Sequence, residues 1–543
     1  MEQAIQAFRS QQISVLVPGQ DKYRQAIATS NLLFRFSRPE CVVQPENPAQ
    51  VQTIIKEAAA RSIKVTIKCN GHSYAGHSTA FSGISLDLRS MKNAELDMNS
   101  KMVTMDAGCQ WGDVYDKLII GHHDGYIING GRCPTVGVSG FILGAGLGPF
   151  TRSFGMGADT LAEATLVTAD GSLITVRESD PPTSEKGRLF WALRGAGGGN
   201  FGVVVQMKLH VQKLRNLQGM VVAGRYQWFP QSGFTDDVVA TMNTFYRTPW
   251  PQELTIDTTW ICDLRQSSNQ GGVRFNVSFD GNKVEYDRLI TTHITHPELQ
   301  TQLKRRVLAE KSSRFLYETL VAQWLEEAER AYPSNKTYEL YSSFIFTKSS
   351  DFAKITAAIC ERMAFFRQKF NGEQVNFLVT WIHSGGKASE PQPTDTAFFW
   401  REAVFHAYVT VEWVDKWMEL EMRLFLASVK KELRPLSLNE KAAFMNFPDR
   451  DFPTKLHEER YFGGNKEELR KVKQTWDPNG FFKWVHGVRR PGDPEEDDTA
   501  EEYAERTDKF AREQWADQWT YYKADDLEVD LNDLEECLGV ESD

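Results

Sequence analysis

Two glycine-rich stretches, each with one nucleophilic side chain, are the residues of this chain best suited to chemistry. The first, residues 70–78, carries His72, and the second, residues 130–148, carries Cys133. Glycine allows positive φ and a close approach of the backbone to a ligand. Successive free N–H groups in such loops form concavities that bind anions. The pattern therefore predicts that two loops together hold a large cofactor that carries phosphate groups.

Two other common kinds of site do not match the sequence. Residues 144–148 read Gly-Ala-Gly-Leu-Gly, which lacks the G-x-G-x-x-G spacing of the dinucleotide-binding fingerprint. His72 and His77 are five residues apart on a predicted loop, and His122 and His123 are adjacent, so neither pair has a zinc-site spacing. We predict no metal site.

Several further motifs follow the two loops in a fixed order along the chain. They are residues 85–88, 107–114, 154–159, 189–204, 446–449 and 461–465, followed by Asp477-Pro478. Together with the loops they resemble the FAD-binding domain of the vanillyl-alcohol-oxidase-type flavoproteins, which has the PCMH-type fold. More narrowly, they resemble the berberine bridge enzyme-like FAD-linked oxidoreductases. The resemblance covers about residues 35–488.

The resemblance implies that FAD is bound through two covalent bonds. It makes His72 the residue bonded to the flavin 8α-methyl group and Cys133 the residue bonded to flavin C6. Two tethers would fix the plane of the ring and raise its reduction potential, while the cofactor carries out the chemistry. The other cofactor-binding residues that it implies are Asn70, Gly71, Ser73, Tyr74, Gly76 and His77 in the first loop, Val136, Gly137, Gly140 and Gly144 in the second, Gly202 and Val204 near the adenine and ribose, and Asn446.

The sequence departs from the family pattern at the expected catalytic base. Many relatives have tyrosine where this chain has Phe444 or Phe447, and in several a tyrosine of this motif deprotonates the substrate hydroxyl. A phenyl ring cannot accept a proton, which argues against simple alcohol or sugar oxidation. Two candidate bases replace it: Tyr408 on a strand expected over the flavin, and His486, because histidine titrates near neutrality. Asn70 also stands where many relatives have glycine.

The resemblance therefore predicts an enzyme, an FAD-dependent oxidase. A small, hydrophobic substrate such as a secondary-metabolite intermediate would give hydride to the flavin, and O2 would reoxidise the flavin to give H2O2. Two alternatives use the same fold: a redox-neutral cyclase, and a carbohydrate or alcohol oxidase. A third is a non-enzymatic protein that binds its partner through an acidic tail.

The elements that must position the first loop alternate between strand and helix. Residues 41–45 and 63–68 read as strands on either side of a helix over 48–62, and the second strand leads directly into the His72 loop. A strand–helix–strand unit followed by a glycine-rich loop is typical of α/β architecture. Further strands are predicted at residues 83–88, 101–108, 161–167, 172–176 and 203–209, with a helix at 111–120.

The pattern changes after about residue 217, where strands and helices mix without glycine-rich loops. Strands are predicted at residues 219–226, 254–263, 272–279, 374–383 and 397–408, and helices at 236–246, 350–370 and 411–432. The predicted fold class is α+β, with a two-subdomain PCMH-type FAD-binding domain and an α+β substrate domain built on an antiparallel sheet. The predicted units are a lead-in (1–34), the FAD-binding domain (35–214), the substrate-binding domain (215–435), a berberine-bridge-type C-terminal segment that returns to the FAD-binding domain (436–488) and an acidic tail (489–543).

Charge is distributed unevenly along the 543 residues. The net charge is −10, but residues 489–543 contain 20 acidic and 6 basic residues, so the tail carries −14 and the remainder +4. The nearly neutral body has no basic block of the kind that binds nucleic acid. We expect the tail, with a helix over residues 501–522, to be an appendage and a candidate binding site for a protein partner.

Cysteine usage indicates the compartment. The seven cysteines form no CxxC pair and no regular framework, which favours a reducing environment. The N-terminal residues lack the basic and apolar regions of a secretory signal, and no run of about 18 apolar residues is present. We therefore expect a cytoplasmic protein that does not associate with membranes.

Overall fold

The computed structural model describes residues 1–216, 218–231, 233–266, 271–330 and 337–494. The helix predicted over 501–522, and the acidic tail from residue 495 onward, lie outside the described residues. Three large sheets organise the described chain. No helix in these ranges is long and apolar enough to cross a membrane.

The first sheet contains the strand–helix–strand unit predicted before the His72 loop. Three of its four strands are parallel, and the helix Pro48–Ala60 buries Val51, Ile54 and Ile55 in a core shared with them. The Asn47 side chain accepts a hydrogen bond from the Gln50 N–H at 3.1 Å and so caps this helix. In spatial order the strands are Ser14–Leu16, Cys41–Gln44, Ile84–Asp87 and Val65–Lys68; helices Glu2–Ser10 and Asp21–Ile27 precede the unit.

The second sheet is antiparallel, and a further glycine-rich segment, residues 195–202, leads into one of its strands. The strands predicted at 161–167 and 172–176 form a hairpin, because Leu161–Val167 pairs with Leu173–Arg177 across a turn in which Gly171 has φ +78°. In spatial order the strands are Ala94–Asp97, Met102–Asp106, Val203–His210, Leu161–Val167 and Leu173–Arg177. The helices of this region are Trp111–Ile120, Val138–Leu143, Thr151–Phe154 and Glu185–Ala192, and a small two-stranded sheet pairs Tyr126–Ile127 with Gln212–Lys213.

The third sheet is a seven-stranded antiparallel sheet, as predicted for the second half of the chain. Successive residues along its strands point to opposite faces of the sheet. Ala407 and Val409 pack against the helices of the second half of the chain, whereas Tyr408 packs against the first half. In spatial order the strands are Val307–Lys311, Met220–Trp228, Gly272–Phe279, Leu254–Asp263, Val375–His383, Phe405–Trp413 and Tyr338–Phe346. The larger helices are Asp236–Arg247, Lys283–His293, Pro297–Arg306, Phe352–Lys369 and Glu419–Leu433, and the short helices Leu320–Gln323 and Leu325–Arg330 come before the strand Tyr338–Phe346 in the chain.

The C-terminal segment packs against the first half of the chain. It contains helices His457–Phe462 and Lys466–Trp476. The buried Lys473 ammonium donates hydrogen bonds to the carbonyls of Asn200 and Phe482, both at 2.6 Å, and forms an ion pair with Asp477 at 2.7 Å. A buried ammonium needs such partners, so this contact fixes the segment to the glycine-rich region before Val203.

Two element predictions in the second half were wrong in their bounds, and one strand was missed. The strand predicted at 397–408 runs from Phe405 to Trp413, and the helix predicted at 411–432 begins only at Glu419. The strand Tyr338–Phe346 was not predicted at all. Every residue of both strands is buried, because helices cover one face and the first half covers the other. The polar–apolar alternation that marks a half-exposed strand is therefore absent.

Buried arginines join the two halves. Arg132 forms an ion pair with Asp257, and Arg401 binds Asp159 through two hydrogen bonds of 2.8 Å. Arg152 donates to the carbonyls of Leu254 and Trp250, both at 2.7 Å, on the third sheet and the segment before it. Paired guanidinium–carboxylate contacts fix geometry as well as distance, so these contacts hold the sheet in one position over the glycine-rich loops.

Candidate functional site

A cavity of about 320 Å³ lies where the glycine-rich loops face the third sheet. Its walls combine both loops, the segment 197–204, and parts of the C-terminal segment, so residues far apart in sequence meet here. Every predicted cofactor-binding residue except Gly144 lines this cavity, as does Tyr408. His486 does not.

The two predicted attachment residues, His72 and Cys133, contact the same hydroxyl group. The Nε2 atom of His72 lies 3.1 Å from Thr135 Oγ1, and the Cys133 sulfur lies 3.1 Å from the same oxygen. The imidazole nitrogen and the sulfur are therefore no more than twice that distance apart. Both could reach one ring system placed in the cavity.

Burial keeps both nucleophiles uncharged in this structure. Desolvation lowers the pKa of His72 to about 4, although a hydrogen bond from the ring to the Thr135 backbone carbonyl opposes the shift. Desolvation also raises the pKa of the Cys133 thiol to about 11, against the hydrogen bonds from Thr135. At neutral pH the site therefore contains a neutral imidazole and a neutral thiol.

The first loop presents free backbone donors to the cavity. Gly71 has φ +81°, a conformation that L-residues with side chains rarely adopt. Within the described part of the chain, the N–H groups of Gly71, His72 and Ser73 donate to no acceptor. Such a run of unpaired N–H groups is suited to an anionic group such as a pyrophosphate.

Asn70 anchors this loop to the neighbouring segment. Its Nδ2 donates to the Gly108 carbonyl at 3.0 Å, and its Oδ1 accepts from Gln110 Nε2 at 3.1 Å. A glycine could make neither bond. The departure from the family pattern at this position therefore adds rigidity to the loop that carries His72.

Gly144 does not contact the cavity, which corrects its predicted role in binding the pyrophosphate. A Cβ at Gly144 would lie 1.9 Å from Asn446 Oδ1. Asn446 itself lines the cavity and donates from Nδ2 to the Phe141 carbonyl at 2.9 Å. The glycine therefore makes room for Asn446, and only Asn446 faces the cofactor site.

The structure also corrects the role predicted for His486. Its Nε2 lies 3.0 Å from the Phe452 carbonyl, an acceptor, so this nitrogen carries the proton. Its Nδ1 then accepts from His77 Nε2 at 3.2 Å. Burial lowers the pKa of His486 to about 3. With both ring nitrogens engaged and no contact with the cavity, His486 orients His77 and cannot accept a proton from a substrate.

Tyr408 faces the cavity, as predicted from its strand. Its ring lies 4.3 Å from that of Phe447 and 6.0 Å from that of Tyr74. His406, two residues earlier on the same face, does not line the cavity; it binds Ser384 Oγ at 2.9 Å and packs behind Phe444, which does. Of the two, Tyr408 alone lines the site.

Sequence reasoning missed two residues of the cavity wall, which lie in the segment before the strand Tyr338–Phe346. Glu327 and Trp324 line it, and the Tyr74 hydroxyl donates to Glu327 Oε2 at 3.1 Å. The Tyr74 ring stacks on Tyr341 at 4.1 Å, so this loop residue reaches across to the third sheet. No motif marks Glu327, since its segment has the composition of an ordinary amphipathic helix.

The cavity residues fit FAD on two further observations. The Trp484 Nε1 donor lines the cavity, is buried, and makes no hydrogen bond to any described residue. No heavy atom lies within 4 Å of the position that a Cβ would take at Gly140, so the helix start there borders open space. The described residues contain no cluster of three or more side chains able to hold a metal ion.

Comparisons with known proteins agree with this geometry. A family model described as "FAD binding domain" matches residues 39–177, and one described as "Berberine and berberine like" matches residues 443–489. The chain is 25% identical to the uncharacterized FAD-linked oxidoreductase YgaK of Bacillus subtilis (strain 168), covering 86% of this chain and 94% of the relative. It is also 25% identical to aclacinomycin-N/aclacinomycin-A oxidase of Streptomyces galilaeus, covering 87% and 89%.

A solved structure shows the same fold. The structure of berberine bridge enzyme from Eschscholzia californica matches with a TM-score of 0.76 at 19% sequence identity, covering 90% of this chain and 99% of that one. The predicted α+β fold with a PCMH-type FAD-binding domain is therefore confirmed.

Proposed function

This chain is a berberine bridge enzyme-like FAD-linked oxidoreductase, and we propose that it acts as an oxidase on a small, hydrophobic substrate. One observation carries the proposal: His72 and Cys133 meet at the Thr135 hydroxyl in the wall of a cavity that also contains Tyr408. The relative named aclacinomycin oxidase supports an oxidase rather than a dehydrogenase.

FAD in this proposal is attached to His72 and Cys133. FAD held here would supply a two-electron acceptor for a hydride from the substrate, with O2 as the final acceptor and H2O2 as the product. The free N–H groups of the first loop hold the pyrophosphate, and the buried Trp484 Nε1 donates to the cofactor. Asn70 anchors the first loop to the Gly108 carbonyl, and Asn446 anchors the second loop through the Phe141 carbonyl.

The substrate end is formed by the third sheet and the helix Leu325–Arg330. Tyr408 is the hydroxyl-bearing side chain that the sheet places against the cavity, and we assign to it the removal of the substrate proton. The Glu327 carboxylate, held by the Tyr74 hydroxyl, accepts a hydrogen bond from the substrate. Both groups act from rigid elements, which favours a reproducible orientation of the substrate.

The walls around these polar groups favour a hydrophobic substrate over a carbohydrate. Trp324, Ile382 and Phe447 line this end, with Met445 beside them. A sugar buried against such side chains would leave hydroxyl groups unpaired, and each unpaired group costs about 1–3 kcal/mol. Localisation in the cytoplasm and a protein partner for the acidic tail stay predictions.

Redox-neutral cyclisation is the second candidate. Phe444 and Phe447 are both phenyl groups, so neither position offers the base that many relatives use. The mass of the product separates the two candidates, because an oxidase removes two hydrogens and releases one H2O2 per turnover. A product isomeric with the substrate, formed without peroxide, would favour the cyclase.

The reaction with oxygen tests the proposed oxidase without knowledge of the substrate. The purified protein is photoreduced under anaerobic conditions and mixed with air-saturated buffer in a stopped-flow spectrometer. We expect the oxidised flavin spectrum to return within seconds, with one H2O2 formed per flavin. Reoxidation over many minutes would contradict an oxidase and indicate a dehydrogenase with another acceptor.

A further inference from the structure

Thr135 has no role in the function proposed so far, although its hydroxyl touches both predicted attachment residues. The Oγ1 atom lies 3.1 Å from His72 Nε2 and 3.1 Å from the Cys133 sulfur. A hydroxyl has one hydrogen to donate and two lone pairs to accept with. Its hydrogen can therefore point to only one of the two neighbours at a time, and this choice decides which nitrogen of His72 carries the proton and whether the sulfur receives a hydrogen bond.

The two possible hydrogen-bond arrangements have different chemical consequences. If His72 donates from Nε2 to Thr135, then Thr135 donates to the sulfur and His72 Nδ1 retains a lone pair. If the Cys133 thiol donates to Thr135, then Thr135 donates to Nε2 and the proton of the imidazole sits on Nδ1. Only the first arrangement leaves a nucleophilic nitrogen on the side of the ring away from Thr135 and gives the sulfur a donor that favours thiolate.

We propose that Thr135 is a positioning residue that sets the tautomer of His72 and activates the Cys133 sulfur, so that both can be joined to the flavin. The proposal rests on the attachment of FAD given above. Each attachment forms one bond from a protein atom to a flavin carbon, and removes one hydrogen from the protein atom and one from the flavin carbon. O2 is the oxidant and becomes H2O2.

Because the site is buried, an uncharged hydroxyl is better suited than a charged group to hold the protons of His72 and Cys133. Desolvation lowers the pKa of His72 to about 4 and raises that of Cys133 to about 11, so neither residue charges readily. A lysine or arginine could activate the sulfur, but burying its charge in the same site would cost several kcal/mol. A neutral hydroxyl supplies a donor and an acceptor without that cost.

Two substitutions of Thr135 distinguish a role in proton placement from a purely structural role. Valine matches threonine in shape but lacks the hydroxyl, whereas serine keeps the hydroxyl and loses the methyl group. A role in shaping the loop is therefore preserved by Thr135→Val, and a role in proton placement is preserved by Thr135→Ser. Thr165→Val serves as the matched control, because Thr165 Oγ1 bonds Thr175 Oγ1 at 3.0 Å on the second sheet, away from the cavity.

The first measurement is the rate at which acid-stable flavin appears. Wild type, Thr135→Val, Thr135→Ser and Thr165→Val are produced with limiting flavin, incubated with FAD, and analysed by acid precipitation and intact mass. We expect Thr135→Val to slow attachment about tenfold, the size expected for one lost hydrogen bond to a reacting group. Thr135→Ser and Thr165→Val should attach flavin like the wild type. Equal rates for Thr135→Val and the wild type would overturn the proposal.

The second measurement does not depend on covalent flavin. In the protein produced with limiting flavin and before FAD is added, alkylation of Cys133 by iodoacetamide is followed against pH by peptide mass, with Cys360 in the same protein as the internal reference. We expect Thr135→Val to move the Cys133 profile to higher pH while Thr135→Ser and Cys360 do not move. If the wild type releases all its flavin in acid, the proposed attachment fails by itself. The alkylation profile then decides the role of Thr135, and an unshifted profile contradicts it.

Discussion

The ion pair between Arg132 and Asp257 gives the sharpest test of how the fold holds the cofactor loop. Arg132 precedes Cys133, and its guanidinium binds the carboxylate on the third sheet and the Leu147 carbonyl. The two side chains are only 6% and 5% exposed. Asp257 also accepts a hydrogen bond from the His383 N–H at 2.8 Å. This one contact connects the sheet to the residue next to a predicted attachment point.

The substitution Asp257→Asn removes the charge and keeps the shape. An amide can still accept at one oxygen, but its NH2 group then faces the guanidinium, so Arg132 stays buried without a counter-charge. Removing one partner of a buried pair costs about 3–5 kcal/mol. Since about 2–4 °C are lost per kcal/mol in a domain of 150–250 residues, we expect the melting temperature to fall by roughly 6–20 °C.

The matched control is Glu163→Gln, which breaks a comparable but exposed pair. Arg177 and Glu163 are 49% and 21% exposed, and such pairs contribute about 0–1 kcal/mol. The assay is thermal unfolding followed by circular dichroism at one protein concentration, with the fraction of acid-stable flavin measured on the same samples. If Asp257→Asn lowers the melting temperature no more than Glu163→Gln, the argument from burial is refuted.

Three further predictions concern the base, the packing of the second loop and the response to acid. We expect Tyr408→Phe to lower kcat by about 10²–10⁴-fold with an unchanged flavin spectrum; a normal kcat would remove Tyr408 from the mechanism. Gly144→Ala should cost about 1–3 kcal/mol by thermal unfolding, because the new Cβ would meet Asn446 at 1.9 Å. Gly112→Ala, where the nearest atom is 3.5 Å away, should be neutral or stabilising, and equal losses would contradict the packing argument. In the folded protein, burial holds the pKa of several histidines below the usual value of 6.5. The free energy of unfolding should therefore fall as the pH drops below about 6.5, by up to about 1.4 kcal/mol per pH unit for each histidine. A melting temperature unchanged from pH 7 to pH 5 would exclude this effect, which is expected from His72, His406, His457 and His486.

The parts of the fold that follow local rules could be predicted from sequence. Pro48 after the capping Asn47, and the turn at Gly171, mark their elements through backbone chemistry that neighbouring residues supply. The strand Phe405–Trp413 could not be placed correctly, because its burial on both faces depends on elements far away in sequence. Its apolar run is equally compatible with a helix, and only the assembled sheet decides between them.

The residues of the candidate site also fall into those that the sequence could identify and those that it could not. The two loops carry their own signal, since glycine density and the single nucleophile in each loop are visible in the sequence. Glu327 carries none, because its position in the cavity depends on the third sheet packing over Tyr74. His486 was selected from the usual pKa of histidine, and burial beside His77 changes that property in a way that sequence does not show.

The central claim is that one flavin is joined to both His72 and Cys133, and acid precipitation tests it most directly. The wild type, His72→Ala, Cys133→Ala and the double variant are denatured in acid, and the pellet and supernatant are examined by absorbance and intact mass. We predict that the wild type and each single variant retain flavin in the pellet, while the double variant releases it. Free flavin from the wild type, or flavin still bound to the double variant, would contradict the account.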